Sequence, residues 1–159
     1  MKKVICFFLL IVLSTISHSA EAYLTNSDKE EIKAISKKFI DCLKSKKRSK
    51  FEEVFLSYYE YKIIDPNHAY QDKKEYLKSL VEKNWTKLRN IKLKSSKIKF
   101  IRYSLSRKPR KLKKHNYSNS NDILIIRDPC IIFWNGGEIR KIEVNAFIKV
   151  GKNWRIFMR

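Results

Sequence analysis

Two stretches of the chain bring together side chains that can carry chemistry. In the first, Asp65 and His68 lie three residues apart, with Tyr58, Tyr59, Tyr61 and Tyr70 around them. A carboxylate and an imidazole among tyrosines can serve as general acid and base in an apolar surrounding. The plainer reading of Asp65-Pro66-Asn67-His68 is a turn bearing a surface histidine, because proline and asparagine favour turns. That reading is preferred here, so no catalytic residue is assigned and Asp65 and His68 stand only as weak candidates. A pairing of Asp122 or Asp128 with His115 has no spacing to recommend it.

The second stretch is Arg107-Lys108-Pro109-Arg110-Lys111-Leu112-Lys113-Lys114, with six cations in eight residues. Like charges at this density repel, which predicts an exposed loop or hairpin tip. Such a cluster attracts phosphate, sulfate or carboxylate polymers by Coulomb forces and counterion release. Arg107, Lys108, Arg110, Lys111, Lys113 and Lys114 are therefore the anion-binding candidates. The competing reading is compositional background. The 159 residues hold 36 Lys+Arg against 16 Asp+Glu, a net charge of +20, and Lys44, Lys46, Lys47, Arg48 and Lys50 form another basic group. Stacking partners for single-stranded nucleic acid near the loop amount to Tyr103 and Tyr117, so genomic nucleic acid is not the expected partner.

The remaining chemistry-bearing residues are few. Cys42 and Cys130 suit a single disulfide in an oxidising compartment, with two buried free thiols as the alternative. Beyond residue 22 the histidines are His68 and His115, and no paired-cysteine spacing occurs, so neither a metal nor a cofactor is expected. Trp85, Trp134 and Trp154 are read as core. Asn84-Trp85-Thr86 and Asn116-Tyr117-Ser118 match the glycosylation sequon.

The start of the chain reads as an address. Met1-Lys2-Lys3 is a positive n-region, Val4 to Leu13 is apolar, and Ala20-Glu21-Ala22 is a small-residue cleavage site. This is the layout of a signal peptide over residues 1–22. The apolar run breaks at Ser14, short of the roughly 20 residues a membrane span needs. The expectation is an exported protein, periplasmic or extracellular, with one domain over residues 23–159 and no transmembrane segment after cleavage.

The elements of that domain follow from periodicity. Ser27 to Glu30 has the form of a capping box opening a first helix, with Ile32, Ile35, Phe39, Cys42 and Leu43 on one face. Ser49 and Glu52 form a second box ahead of Phe51, Val54, Phe55 and Tyr58. Tyr59 to Ile64 reads as a brief strand. A third helix opens at Asp72 and buries Leu77, Leu80, Val81, Trp85 and Leu88, with Asn84 interrupting the stripe. From Ile91 the period becomes two, with a bulge near residue 100. Asp122 to Trp134 is a long strand in which Pro129 marks a bulge, bend or edge. Asn135-Gly136-Gly137 is a hairpin turn, Glu138 to Val150 a second strand, and Trp154 to Met158 a third.

This order, carried by the helix stripes and the closing EIRKIEVNAFIKVGKNWRIFM, resembles the nuclear transport factor 2-like superfamily, which includes SnoaL-like and ketosteroid-isomerase-like proteins. The resemblance implies an α+β fold, a cone-shaped curved antiparallel sheet on three N-terminal helices, with a pocket at its wide end and homodimerisation through the open sheet face. The basic connection at 106–121 is longer than a minimal member would have. Together these features point to a secreted or periplasmic non-enzymatic binding domain whose partner is an anionic polymer or acidic protein surface. The alternatives are a small isomerase or lyase with an acid–base site in the cone, and a secreted effector or immunity-type protein.

Overall fold

The computed structural model describes residues 24–65, 70, 72–91, 93, 97–111 and 123–158. The leader expected over residues 1–22, together with His68, Lys113, Lys114, His115 and Asp122, lies outside the described residues. The fold is α+β, with helices followed by antiparallel strands.

Helix α1 (Asn26–Ser45) buries Ile32, Ile35, Phe39, Ile40, Cys42 and Leu43 along one side, as their steps of three and four require. Its capping box sits two residues earlier than expected. Thr25 Oγ1 accepts from the Asp28 N–H at 3.1 Å, and Asp28 accepts from the Thr25 N–H at 3.0 Å. Asp28 takes the acidic position because its carboxylate is held in the interior, whereas Glu30 reaches out to Lys33. Helix α2 (Arg48–Val54) starts from Lys47 without a side-chain cap. The expected Ser49–Glu52 box is absent because the Glu52 carboxylate pairs with Arg48 at 2.7 Å.

The expected strand at Tyr59 to Ile64 is instead helix α3 (Tyr58–Ile64). Ser57 caps it, its hydroxyl accepting from the Glu60 N–H while Glu60 accepts from the Ser57 N–H at 2.8 Å. The box makes the start of the helix self-sufficient and overrides the β preference of the Tyr and Ile side chains. Tyr58 and Tyr61, one turn apart, are then buried while Tyr59 is exposed. Asp72 caps α4 (Lys73–Tyr76) as expected, accepting from Glu75 N–H at 2.8 Å. A π-helical stretch (Leu77–Glu82) joins it to α5 (Lys83–Arg89). Asn84, the polar break in the stripe, is 1% exposed. Its amide donates to the carbonyls of Leu80 at 2.9 Å and Met158 at 3.1 Å, tying the helix to the residue that follows the last strand.

The strands are β1 (Ile98–Ser104), β2 (Arg110–Lys111), β3 (Leu124–Arg127), β4 (Cys130–Asn135), β5 (Glu138–Glu143), β6 (Ala146–Val150) and β7 (Asn153–Phe157). They form two sheets, ordered β1-β4-β5 and β2-β3-β6-β7. Each of the two long strands read from the sequence is therefore broken in two, and each half joins a different sheet. The break is a corner in one continuous hairpin. Leu124 to Arg127 pair with Lys149 to Ala146, and Cys130 to Asn135 pair with Glu143 to Glu138, in a single unshifted register. Between them Asp128 N–H donates to Asn145 O at 3.0 Å, and Val144 N–H to Pro129 O at 3.0 Å. Pro129 sits at that bend, and Asp128 takes φ 53°, a left-handed conformation that aspartate tolerates better than most residues. The expected bulge lies between Phe100 and Arg102 in β1.

The core forms where helices meet strands. Phe51 packs its ring against Phe55 at 4.9 Å and Trp85 at 5.6 Å, and Tyr76, fully buried, donates its hydroxyl to the Leu56 carbonyl. Trp85 and Trp154 are core, but Trp134 is 40% exposed, beside the 68% exposed Ile139 on the outer side of the β1-β4-β5 sheet. Trp134 follows the strand alternation that buries Phe133 and Asn135, so its place in the pleat and not its hydrophobicity decides its exposure.

Candidate anion-binding site

Strand β2 is only Arg110 and Lys111, paired with Ile125 and Leu124 of β3 at the edge of the four-stranded sheet. Arg107 and Lys108 lead into it. Arg107, Lys108, Arg110 and Lys111 line a groove of about 190 Å³ with Ile125 and Arg127 of β3. All five cations are exposed, so the expectation that this run lies on the surface holds for its described part. Arg127 was not among the sequence candidates. It lies far from the basic run along the chain, and only the β2–β3 pairing brings it there.

Among the described residues, the acid nearest the basic run is Asp128. Asp128 Oδ2 lies 3.0 Å from Arg107 Nε, and Ser106 Oγ donates to the Asp128 carbonyl at 2.7 Å. These contacts fix the turn against the hairpin corner. Since both partners are more than half exposed, the ion pair contributes little stability. Its effect is local, offsetting the charge of Arg107.

Strand register sets what lies behind the groove. Arg110, Ile125, Ile148 and Arg155 stand opposite one another in one row, and Arg127, Ala146 and Phe157 in the next. Directly paired residues, and residues two apart on a strand, share a face. That face, roofed by α3, forms a cleft of about 450 Å³ with apolar walls at Leu56, Tyr61, Ile64, Ile148 and Phe157. Arg127, Asp128 and Asn145 supply polar groups at the corner, and Ile125 and Arg127 belong to cleft and groove alike. α3 is held in place by Arg155, whose Nε donates to Glu60 at 2.9 Å and whose guanidinium also donates to Glu53 O at 3.1 Å.

Asp65, the carboxylate singled out from the sequence, closes α3 by donating its N–H to Tyr61 O at 2.9 Å, and it lines the cleft on the helical wall. Its suggested partner His68 lies outside the described residues. Cys42 and Cys130 stand as free thiols. Burial pushes the Cys42 thiol up to about 12, with the Glu53 carboxylate adding to the effect, so it is no nucleophile near neutral pH. Cys130 is half-buried at the start of β4. Among the described residues no group of three or more His, Cys, Asp or Glu could hold a metal ion, and no helix is long and apolar enough to cross a membrane. Comparison of the chain with protein-family models, curated proteins and solved structures yields no match in any of the three.

Proposed function

We propose that this protein is an exported, non-enzymatic binding domain that holds an anionic partner in the groove formed by Arg107, Lys108, Arg110, Lys111 and Arg127. One observation carries the reading. The described part of the basic run is paired at Arg110 and Lys111 onto β3, where a cation from another part of the chain joins it. A phosphate-, sulfate- or carboxylate-bearing partner gains from five cations held in one place, because their mutual repulsion is already overcome by folding. Export rests on the leader at residues 1–22, and it makes envelope polymers, acidic glycans, lipid headgroups and acidic protein surfaces the available partners. The resemblance to the nuclear transport factor 2-like superfamily rests on the helix stripes and closing strands of the sequence, and on that reading the cleft is the wide end of a cone.

The test is retention of residues 23–159 on immobilised heparin over a salt gradient, beside a variant with Arg107, Lys108, Arg110, Lys111, Lys113 and Lys114 changed to Ser. The wild type is expected to elute at clearly higher salt. Co-elution of the two would return the cluster to compositional background. The presence of Asp65 in the cleft favours one second reading, an acid–base enzyme of the isomerase or lyase type. It predicts turnover that Asp65→Asn abolishes, whereas the binding reading predicts that anion affinity survives the change.

A further inference from the structure

We infer that the ligand is an amphiphilic anion, a single apolar chain carrying a phosphate, sulfate or carboxylate head, with the head on Arg110 and Arg127 and the chain in the cleft beneath α3. The inference rests on the anion-site reading above and specifies its ligand. A bare polyanion would use the groove alone, yet the groove does not end at β3. Ile125 and Arg127 form its inner wall and are also the near wall of the cleft. The register places Arg110 at the edge of the row that continues through Ile125 and Ile148 to Arg155, and Arg127 at the edge of the row that continues through Ala146 to Phe157. The Arg127 row thus begins with a guanidinium and passes into apolar surface, the order of head and chain in an amphiphile, while the Arg110 row is apolar at Ile125 and Ile148 and ends at Arg155, whose guanidinium is engaged by Glu60.

The cleft has the size of small-molecule sites, which run from roughly 300 to 1,000 Å³, and its lining mixes polar with apolar surface. Its charges set the direction of binding. Asp128 is engaged by Arg107 at 3.0 Å. Asp65 stands on the opposite, helical wall, where it repels an anionic head and so favours the orientation with the head at Arg127. Apolar burial supplies affinity that grows with chain length, and the guanidinium pair supplies selectivity for the anion.

The experiment is calorimetric titration of residues 23–159 with butyl, hexyl and octyl phosphate below micellar concentrations. Inorganic phosphate serves as head alone and octyl glucoside as chain alone. Affinity is expected to rise about threefold to fourfold per added methylene, with both controls at least tenfold weaker than octyl phosphate. Arg127→Gln should weaken octyl phosphate about tenfold and Asp65→Asn should strengthen it slightly. Ile64→Ser on the cleft wall should flatten the chain-length series, and the wild-type series reads the same property without relying on any variant. Affinity independent of chain length, with heparin retention intact, would overturn this inference and leave the anion-site reading standing. Loss of both heparin retention and alkyl phosphate binding would overturn the two together. Octyl glucoside binding as tightly as octyl phosphate would overturn the assigned head contacts.

Discussion

Asp28 joins the first helix to the last two strands. Its carboxylate, almost wholly buried, accepts from Lys149 Nζ at 2.6 Å, Trp154 Nε1 at 3.0 Å, Thr25 Oγ1 at 2.7 Å and the Thr25 N–H at 3.0 Å. Burial alone would raise its proton affinity, but the bonds from Lys149, Trp154 and Thr25 outweigh that and hold it well below the usual carboxylate range. The unfolded state therefore binds the proton more readily than the folded state. The resulting stabilisation is complete above the ordinary aspartate value near pH 4 and is lost as pH falls below it. Asp28→Asn, which leaves Lys149 without its counter-charge, is expected to cost about 3 kcal/mol in urea unfolding at pH 7. The gap from wild type should narrow between pH 5 and pH 2, and a gap independent of pH would refute the ionic role. The thiols give a second expectation. In residues 23–159 the half-buried Cys130 should react with a thiol reagent in the native state, and Cys42, its thiolate disfavoured by burial, only after unfolding. No reactive thiol in unreduced, unfolded protein would instead show the two joined.

The hairpin corner is the element on which the site depends. It turns β3 and β6 out of the sheet of β4 and β5, and it does so through Asp128 in a left-handed conformation and Pro129 beside it. Asp128→Asn or Asp128→Gly should fold normally, while Asp128→Val should cost about 1–3 kcal/mol because a β-branched residue is strained there. Equal stability of the Val and Gly variants by thermal unfolding would contradict the corner as described. Much of this was legible in the sequence. The stripes of α1 and α5, the cap at Asp72, the bulge near residue 100, the Gly136-Gly137 turn and Pro129 as a disruption all express local rules of period, capping or turn chemistry. What was not legible depended on competition or on distant partners. In α3, β-favouring side chains lost to the reciprocal Ser57–Glu60 cap, and the cap of α1 moved to Thr25 because Asp28 has partners in strands far along the chain. In the site, the basic run could be read directly, but Arg127 and the apolar cleft are products of strand register, which no local pattern specifies.

For the molecule as a whole, the net charge of +20 raises affinity for any anion and so obscures a specific site. The same charge bears on self-association. The row Lys99, Trp134, Ile139 and the next, Arg102, Ile132, Lys141, lie on one face of the β1-β4-β5 sheet. The apolar line there would suit the homodimer that the family resemblance implies, but its flanking cations would oppose like charge across the interface. Specificity and background are separated by comparing variants of equal charge. The decisive measurement is the salt dependence of binding to a defined heparin oligosaccharide for three proteins. These are the wild type, a variant with Arg107, Lys108, Arg110, Lys111 and Arg127 changed to Gln, and a control with the exposed Lys37, Lys38, Lys44, Lys47 and Lys50 changed to Gln. The slope of log affinity against log salt counts the cations engaged. The account predicts a slope reduced by about three to five in the groove variant and nearly unchanged in the control. Equal slopes in the two variants would show that the whole charged surface binds, and that the groove is not a site.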